Sequence, residues 1–272
     1  MSDYDSPKDN RLIAALADSD WPRWQPRLER VDLKSGQVLH ESETAQQYAY
    51  FPTSSIVSLA YLLGNGASTE IAVVGNEGMV GTSLLLGRTS ATHQGSVLIS
   101  GQGFRIDAHW IRDEFDRSDS VRHLLLRYTQ ALMTQIAQIA VCNRHHTVDQ
   151  QVCGWLLHIL DRMRGSEVRL TQEVLASMLG VRRESVTAAA GLLQAAGLIR
   201  YVRGHISVLD RGGLERRACE CHAIVKTEYD RLLPQRPAAR AADPARRVSP
   251  AWHGAAPIHL PQLHEVAAAC ED

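Results

Sequence analysis

The sequence lacks the features that mark several protein classes. No apolar run approaches the roughly 18 residues of a membrane-spanning helix, and the first ten residues are acidic and polar, unlike a secretory signal. No phosphate-binding loop, HExxH, dinucleotide-binding or Ser/His/Asp signature is present. The five cysteines, Cys142, Cys153, Cys219, Cys221 and Cys270, do not have the spacing of a disulfide framework. We therefore expect a cytoplasmic protein with reduced thiols that makes no membrane contact and is not an enzyme.

The net charge of −1 conceals an uneven distribution of charge. Residues 1–120 carry ten Lys or Arg against sixteen Asp or Glu, a net −6. Residues 181–217 carry seven arginines against three acidic residues, a net +4. The second stretch therefore predicts a surface that faces phosphate groups, on a body that repels them.

The stretch from Leu170 to Leu209 predicts a helix-turn-helix followed by a β wing. Thr171 is suited to cap a first helix over residues 172–179. A second helix over residues 183–195 begins with polar side chains that can bond base edges or phosphates. Double-stranded DNA is the partner that this pattern favours. The alternative for this stretch is a winged helix that binds protein.

The spacing of three residues sets the geometry of this motif. Ala176 is small where two short helices must cross, and Gly180 permits the sharp turn between them. Val186 can fill the angle between the helices. Residues 199–202 and 205–208 then predict two strands joined by a tight turn, which form the wing.

The first third of the chain has a β-rich pattern. Short apolar runs alternate with turn signals, and Asn65-Gly66 is a strong hairpin signal. The pattern predicts a small antiparallel sandwich, roll or barrel. The predicted strands are 28–33, 38–40, 48–51, 56–63, 69–74, 97–100 and 104–107.

A helical period follows over residues 120–143. Two interleaved rows each repeat every seven residues and together predict a seam with a second copy of the chain. One row comprises Leu125, Leu132 and Ile139, and the other comprises Val121, Tyr128, Gln135 and Cys142. A second set would lie on the chain's own β domain; it comprises Leu124, Leu126, Met133, Ile136 and Ala140. The alternative is a single buried core helix.

Further helices are predicted on either side of the helix-turn-helix, over residues 148–163 and 215–233. From Pro234 onward, Pro, Ala, Arg and His dominate without periodicity. This composition predicts a disordered tail.

The order of these parts resembles the cyclic-AMP receptor/fumarate-nitrate regulator (Crp/Fnr) family of bacterial transcription factors. The phrases that carry the resemblance are Gly180-Val181-Arg182-Arg183-Glu184-Ser185-Val186 and Gly75-Asn76-Glu77-Gly78-Met79-Val80-Gly81. It covers roughly Leu12 to Leu233. It implies an α+β fold with an N-terminal antiparallel β-roll like cyclic-nucleotide-binding domains (1–108), a connecting and dimerisation helix (109–146), a C-terminal winged helix-turn-helix (147–233) and the tail (234–272).

The resemblance also implies a mode of action. A homodimer would place its recognition helices in successive major grooves about 34 Å apart, on a near-palindromic site. RNA polymerase is a further candidate partner. Members with Arg-Glu at this point often carry another arginine where this chain has Ala188. We expect Arg183 to contact guanine and Glu184 to contact cytosine, with Thr187 as a third base reader. Phosphate contacts are expected from Arg182, Ser185, Arg200 and Arg203.

An effector pocket between the roll and the long helix is also implied, and its candidate residues are Glu77, Gly78, Met79, Gly81, Thr82 and His93. Members that bind cyclic nucleotides have an arginine after the glycine-rich turn and a glutamate for the ribose. Here Arg88 lies too early, and Thr82 stands near the glutamate position. We expect no cyclic-AMP binding, no cofactor and an effector of unknown identity. A haem or gas sensor that uses His93 is an alternative.

Metal sites were also considered. Some relatives sense oxygen with an iron–sulfur cluster on N-terminal cysteines, but this chain has no cysteine before Cys142. Cys219-Glu220-Cys221-His222 does not have a usual zinc spacing, although metal binding or oxidant sensing is its alternative role. Asn143-Arg144-His145-His146 is interpreted as a polar hinge, with metal binding as the alternative. We predict no metal site. The predicted function is a homodimeric, sequence-specific transcription regulator; the alternative is a small-molecule or cyclic-nucleotide sensor that acts through protein contacts.

Overall fold

The computed structural model describes residues 6–64, 67–163 and 165–233. The hairpin turn expected at Asn65-Gly66 and the tail expected from Pro234 lie outside the described residues. Two short helices come first, α1 (Arg11–Ala14) and α2 (Trp21–Trp24). Leu12, Ile13 and Trp24 from these helices are buried in the N-terminal core.

Two antiparallel sheets form the N-terminal roll, which confirms the predicted architecture. Their strands, in chain order, are β1 (Glu29–Leu33), β2 (Val38–His40), β3 (Tyr48–Pro52), β4 (Ile56–Leu62), β5 (Ser68–Val74), β6 (Gln94–Ile99) and β7 (Gly101–Asp107). The sheet orders are β1-β7-β3 and β2-β6-β4-β5. In β3, Ala49 and Phe51 point into the core, whereas Tyr48 and Tyr50 are only half-buried. This alternation is the period-2 signal on which the strand prediction depended.

Two helices follow the roll. Asp107 caps α3 (Ala108–Arg117), because its carboxylate accepts from the backbone N–H groups of His109 and Trp110 at 2.9 and 3.0 Å. The next helix, α4 (Asp119–His145), is the predicted long helix.

The C-terminal part contains the predicted winged helix-turn-helix. Its elements, in chain order, are α5 (Val148–Leu160), β8 (Glu167–Arg169), α6 (Gln172–Leu179), α7 (Arg183–Ala195), β9 (Ile199–Val202), β10 (His205–Val208), α8 (Arg211–Arg217) and α9 (Glu220–Leu232). The unpredicted β8 pairs with β10 and completes a three-stranded sheet. The prediction of one closing helix over 215–233 was wrong. Ala218 and Cys219 have extended backbone, which separates α8 from α9.

The assignment of the two faces of α4 was also wrong. Val121, Leu125, Tyr128 and Gln135 are fully buried within the chain, and Leu132 is 4% exposed. They are buried because α4 packs against both the roll and α9. Only the end of the predicted seam, at Ile139 and Cys142, is partly exposed.

The second apolar set supplies the exposed face instead. Met133 is 59% exposed, Leu126 is 41% exposed and Ala140 is exposed, whereas Leu124 and Ile136 face inward. A heptad period shows which residues share a face, but it does not show whether that face meets a partner or the same chain.

Polar contacts join the roll to the winged helix-turn-helix part. The indole N–H of Trp155 in α5 donates to Glu70 of β5 at 2.9 Å, and Ser58 Oγ donates to the same carboxylate at 2.6 Å. The buried guanidinium of Arg162 pairs with Glu77. Among the described residues, no helix is long and apolar enough to cross a membrane.

Candidate nucleic-acid interface

The turn of the helix-turn-helix has the geometry that its spacing predicts. Gly180 has a φ of 65°, in the left-handed region that favours glycine. Thr171 caps α6 by accepting from the Val174 N–H at 3.3 Å. Ala176 is buried where the helices cross, and Val186 is fully buried between them. The bounds of α6 and α7 agree with the prediction.

The first turn of α7 presents its charged side chains to solvent. Arg182 is the N-cap residue, and Arg182, Arg183 and Glu184 are all exposed. The side chain of Arg183 is 64% exposed, and its only ion pair within the described residues is a long one, 3.8 Å to Glu173. Such an exposed pair contributes little free energy. The guanidinium of Arg183 can therefore exchange this contact for a base or a phosphate.

The hydroxyl side chains of Ser185 and Thr187 are less available to a partner than the charged ones. Ser185 is half-buried. Thr187 is exposed, but its hydroxyl is engaged with Gln172 Oε1 at 2.8 Å or with the Arg183 carbonyl at 3.0 Å. Thr187 can therefore accept a hydrogen bond from a base without losing a contact, whereas donation requires it to leave one.

The wing projects two further arginines. β9 and β10 pair antiparallel and are joined by Arg203 and Gly204, whose φ angles are 48° and 80°. Both residues are left-handed, as a tight two-residue hairpin turn requires. Arg200 and Arg203 are exposed. The Tyr201 hydroxyl donates to the Leu170 carbonyl at 2.7 Å, which fixes the wing against the segment that leads into α6.

Not all seven arginines of residues 181–217 contribute to this surface. Arg211 pairs with Asp161 and Glu215, Arg216 with Asp210, and Arg217 with Asp149. The three arginines of α8 are thus balanced by carboxylates of the same chain. The positive charge that faces outward is concentrated on Arg182, Arg183, Arg200 and Arg203.

The residues predicted to line an effector pocket have different partners in the structure. Glu77 is buried against Arg162 and borders a cavity of about 150 Å³. Gly78 and Met79 contact Tyr128: a Cβ at Gly78 would lie 2.3 Å from its ring, and the Tyr128 hydroxyl donates to the Met79 carbonyl at 2.7 Å. Tyr128 therefore fills the space between this turn and the long helix.

The remaining candidates lie elsewhere in the roll. Gly81, with a φ of 115°, precedes a 3₁₀ turn that starts at Thr82. The His93 ring packs against His40 at 5.3 Å between ring centroids. Burial lowers the pKa of His40 to about 4, so His40 is neutral near pH 7.

Sequence reasoning did not anticipate Arg162. It lies in the charged stretch Asp161-Arg162-Met163-Arg164 at the end of the predicted helix, a pattern typical of an exposed helix end. In the structure it is buried and bonded to Glu77, Gln135 and the His158 carbonyl. A signal that could have found it is Glu77, which lies in a glycine-rich turn and needs a cationic partner if it is buried.

Comparison with known proteins agrees with this geometry. Residues 150–217 match the Crp-like helix-turn-helix domain family. FixK2 from Bradyrhizobium japonicum is 15% identical with a TM-score of 0.62, over 71% of this chain and 98% of that chain. A transcriptional regulator of the CRP/FNR family from Thermus thermophilus is 20% identical with a TM-score of 0.57, over 70% and 98% of the two chains.

A third similar structure is the c-di-GMP-responsive global regulator CLP of Xanthomonas campestris, 14% identical with a TM-score of 0.56, over 71% of this chain and 100% of that chain. No curated protein sequence matches the chain. At these identities the likeness to solved structures concerns the fold. Residues 150–217 thus match the Crp-like helix-turn-helix domain family, and the chain has the same fold as solved regulators of the Crp/Fnr family.

Proposed function

We propose that this protein is a cytoplasmic homodimer that binds specific DNA sequences and regulates transcription, without catalysing a reaction. The observation that carries the proposal is the exposed first turn of α7 within a Crp-like helix-turn-helix. Arg183 and Glu184 are exposed there and can reach base edges, since the long ion pair of Arg183 with Glu173 is readily exchanged. Arg182, Arg200 and Arg203 flank them as phosphate contacts, and Ser185 and Thr187 supply further polar groups. RNA polymerase is the partner that such a regulator would contact at a promoter.

Support for the homodimer comes from the exposed face of α4. Leu126, Met133 and Val141 are 41%, 59% and 45% exposed. These residues recur at intervals of seven and eight along one helix, so they form a stripe suited to pack against the same stripe of a second copy. Two copies paired in this way would present two recognition helices to a near-palindromic site.

A lack of cyclic-AMP binding is supported by the surroundings of the glycine-rich turn. Arg88 is 58% exposed and pairs with the exposed Glu43 at 3.4 Å, so it is not held toward an internal anion. Thr82 provides no carboxylate for a ribose. The space beside Gly78 and Met79 is occupied by Tyr128. A cyclic nucleotide would lack a fixed cation, a ribose acceptor and room at this turn.

The experiment that tests DNA binding is selection from a random double-stranded DNA pool, followed by fluorescence anisotropy on the enriched site at a stated salt concentration. We expect a near-palindromic motif whose affinity exceeds that of scrambled DNA by at least about 10³-fold. Recovery of no enriched motif would favour the alternative, a sensor that acts through protein contacts.

The effector proposal has its own test. Isothermal titration calorimetry with cyclic AMP, cyclic GMP and cyclic di-GMP should show no micromolar binding. Cyclic di-GMP is included because the Xanthomonas protein is described as responsive to it. Micromolar binding of cyclic AMP would overturn the proposal.

A further inference from the structure

Four side chains with metal-binding chemistry meet where α4 ends and α9 begins. Cys142 and His146 are one helical turn apart at the end of α4, while Cys219 and Cys221 flank the first residue of α9. One donor atom from each, three sulfurs and a ring nitrogen, all lie within 4.8 Å of one another. The two cysteines of α9 are buried, and the other two side chains are half-buried. The four donors therefore form a compact set that is mostly shielded from solvent.

The distances in this cluster fit a single tetrahedral ion. Cys142 Sγ lies 3.5 Å from Cys219 Sγ, and Cys221 Sγ lies 3.6 Å from His146 Nδ1. A Zn–S bond is about 2.3 Å, so two thiolates on one tetrahedral zinc are about 3.8 Å apart. A disulfide would instead bring the two sulfurs to about 2.05 Å. The distance between the sulfurs of Cys142 and Cys219 is thus close to that of two zinc ligands and much longer than a disulfide bond.

Two neighbouring side chains contact His146 and favour the ring orientation that a metal ligand needs. While Nδ1 of His146 faces the sulfurs, Nε2 lies 3.5 Å from a carboxylate oxygen of Glu220. A carboxylate that accepts from the second ring nitrogen orients a metal-bound histidine and raises its basicity. Gln151 Nε2 donates to the His146 carbonyl at 3.0 Å and so anchors the end of α4.

We propose that Cys142, His146, Cys219 and Cys221 bind one Zn²⁺ ion in Cys₃His coordination. Thiolate and imidazole donors select zinc over calcium or magnesium, which prefer oxygen ligands. A cluster of several irons needs its ligands arranged around a larger body than a single ion. With four protein donors the coordination is complete, so the site belongs to the structural class of zinc sites and keeps no position open for a substrate.

The sequence alone does not predict this site, because two of its ligands come from the end of α4 and two from the start of α9. Residues 143–146 and 219–222 are far apart in the sequence, and each stretch supplies too few ligands on its own. Folding brings together Cys142 and Cys219, which are 77 positions apart. The neighbouring histidines do not take part: His145 is exposed, and His222 Nε2 lies 2.8 Å from Asp161.

The position of the site indicates that the ion cross-links two distant parts of the chain. The winged helix-turn-helix lies in the sequence between His146 and Cys219, so an ion held by both ends closes this segment into a loop. It fastens α9 to the end of the central helix at the point where the chain enters the DNA-binding part. Bound zinc should therefore stabilise the folded protein by mass action. This inference does not rest on the proposed function.

The test begins with the full chain, purified anaerobically with a reductant. Inductively coupled plasma mass spectrometry should find one zinc per chain. After zinc removal, Co²⁺ titration should give the visible bands of a tetrahedral ion and near-ultraviolet thiolate charge transfer, saturating at one equivalent. A metal-free chain without these bands would overturn the proposal. So would a Cys142–Cys219 disulfide under the same conditions.

Matched variants separate ligation from folding. Cys219→Ser and His146→Ala should weaken Co²⁺ binding by more than about 100-fold, since loss of an outer partner alone costs about 10- to 100-fold. His146→Cys should restore the bands as a Cys₄ site. The controls Cys153→Ser and His145→Ala should each keep one equivalent, with far-ultraviolet circular dichroism confirming the fold. Loss of metal from both controls to the same extent would contradict the assignment.

Discussion

Arg162 Nε lies 2.7 Å from a carboxylate oxygen of Glu77, and the two side chains are 4% and 3% exposed. Glu77 lies in the glycine-rich turn after β5, and Arg162 follows α5, so the pair joins the roll to the DNA-binding part. The guanidinium also donates to Gln135 Oε1 at 3.0 Å and to the His158 carbonyl at 2.8 Å. The arginine is thus both paired and hydrogen-bonded, as a buried charge must be.

Removal of one partner from this pair should strongly destabilise the protein. Glu77→Gln keeps the shape but leaves the buried Arg162 charge without a counter-charge, and we expect the free energy of unfolding to fall by about 3–5 kcal/mol. Urea denaturation at pH 7 measures this change. The control is Glu43→Gln, which breaks the exposed pair with Arg88 and should change the free energy by less than about 1 kcal/mol. Equal effects of the two substitutions would contradict the prediction.

Glu70 should make stability depend on pH. Burial raises the pKa of Glu70 to about 7 from its ordinary 4.5, although hydrogen bonds from Ser58 and Trp155 and the charge of Arg162 act in the opposite direction. The folded state therefore binds this proton more tightly than the unfolded chain does. The stabilisation is fully present below about pH 4.5 and is lost as the pH rises through about 7.

The matched variant is Glu70→Gln, whose amide can accept from Trp155 and donate to Ser58. Between pH 4.5 and 7 the free energy of unfolding of the natural protein should fall relative to this variant, by on the order of 3 kcal/mol. Urea titrations followed by tryptophan fluorescence across this range give the difference. Parallel pH profiles of the two proteins would show that Glu70 does not titrate in the folded state.

The regular part of the fold was predictable because its signals are local. Thr171 as a cap, Gly180 at a left-handed turn and Arg203-Gly204 in the hairpin each specify a conformation from neighbouring residues. The strands of the roll were recovered for the same reason, although β6 and β7 extend further toward their N-termini than the apolar runs suggested. The exposure of the side chains proposed to contact DNA was predictable for the same reason, since their position on α7 determines which of them reach solvent.

The remaining features depend on contacts between residues far apart in the sequence. The buried face of α4 is determined by the roll and α9, so a heptad count alone could not assign it. Arg162 is buried in the core because Glu77, 85 positions earlier in the sequence, supplies the carboxylate that pairs with its charge. Cys142 and Cys219 are 77 positions apart and become neighbours only because the chain folds α9 against the end of α4. Of the residues predicted to line an effector pocket, Glu77 pairs with Arg162, whereas His93 packs against His40.

Two arginines should respond differently in DNA-binding assays. Arg183→Ala should cost on the order of 1–3 kcal/mol on the selected site and relax the choice at one base pair, because a bidentate contact to guanine is lost. Anisotropy titrations on single-base variants of the site measure this change. Equal weakening on all sequences would identify Arg183 as a phosphate contact.

Arg203→Ala should weaken binding to the selected site and to random DNA by the same factor. It should also reduce the slope of log K against log salt by about 1, since one phosphate contact is lost. The control is Arg216→Ala in α8: this arginine is exposed but pairs with Asp210 at 3.5 Å, outside the recognition helix and the wing. An unchanged salt slope for Arg203→Ala would place its side chain away from the DNA backbone.

The exposed stripe of α4 should control the oligomeric state. Met133→Glu places a charge on the most exposed of its apolar residues, and we expect the dimer dissociation constant to rise by at least about 10-fold, since a buried unpaired carboxylate costs more than about 1.4 kcal/mol. Sedimentation equilibrium measures this constant. Leu63→Glu is the control, because Leu63 is similarly exposed, at 54%, but lies in the roll.

Leu125 belongs to the heptad row predicted from the sequence to form the dimer seam. Its substitution should affect folding stability and leave the dimer contact unchanged. Leu125 is fully buried within one chain, so Leu125→Ala should lower the free energy of unfolding by about 2–5 kcal/mol. Because the side chain does not reach the exposed stripe, the dissociation constant of the folded dimer should change little. If Leu125→Ala dissociated the dimer while Met133→Glu left it intact, the dimer contact would lie on the face of α4 that this fold buries, and the two copies could pair only after the elements packed on that face had moved away.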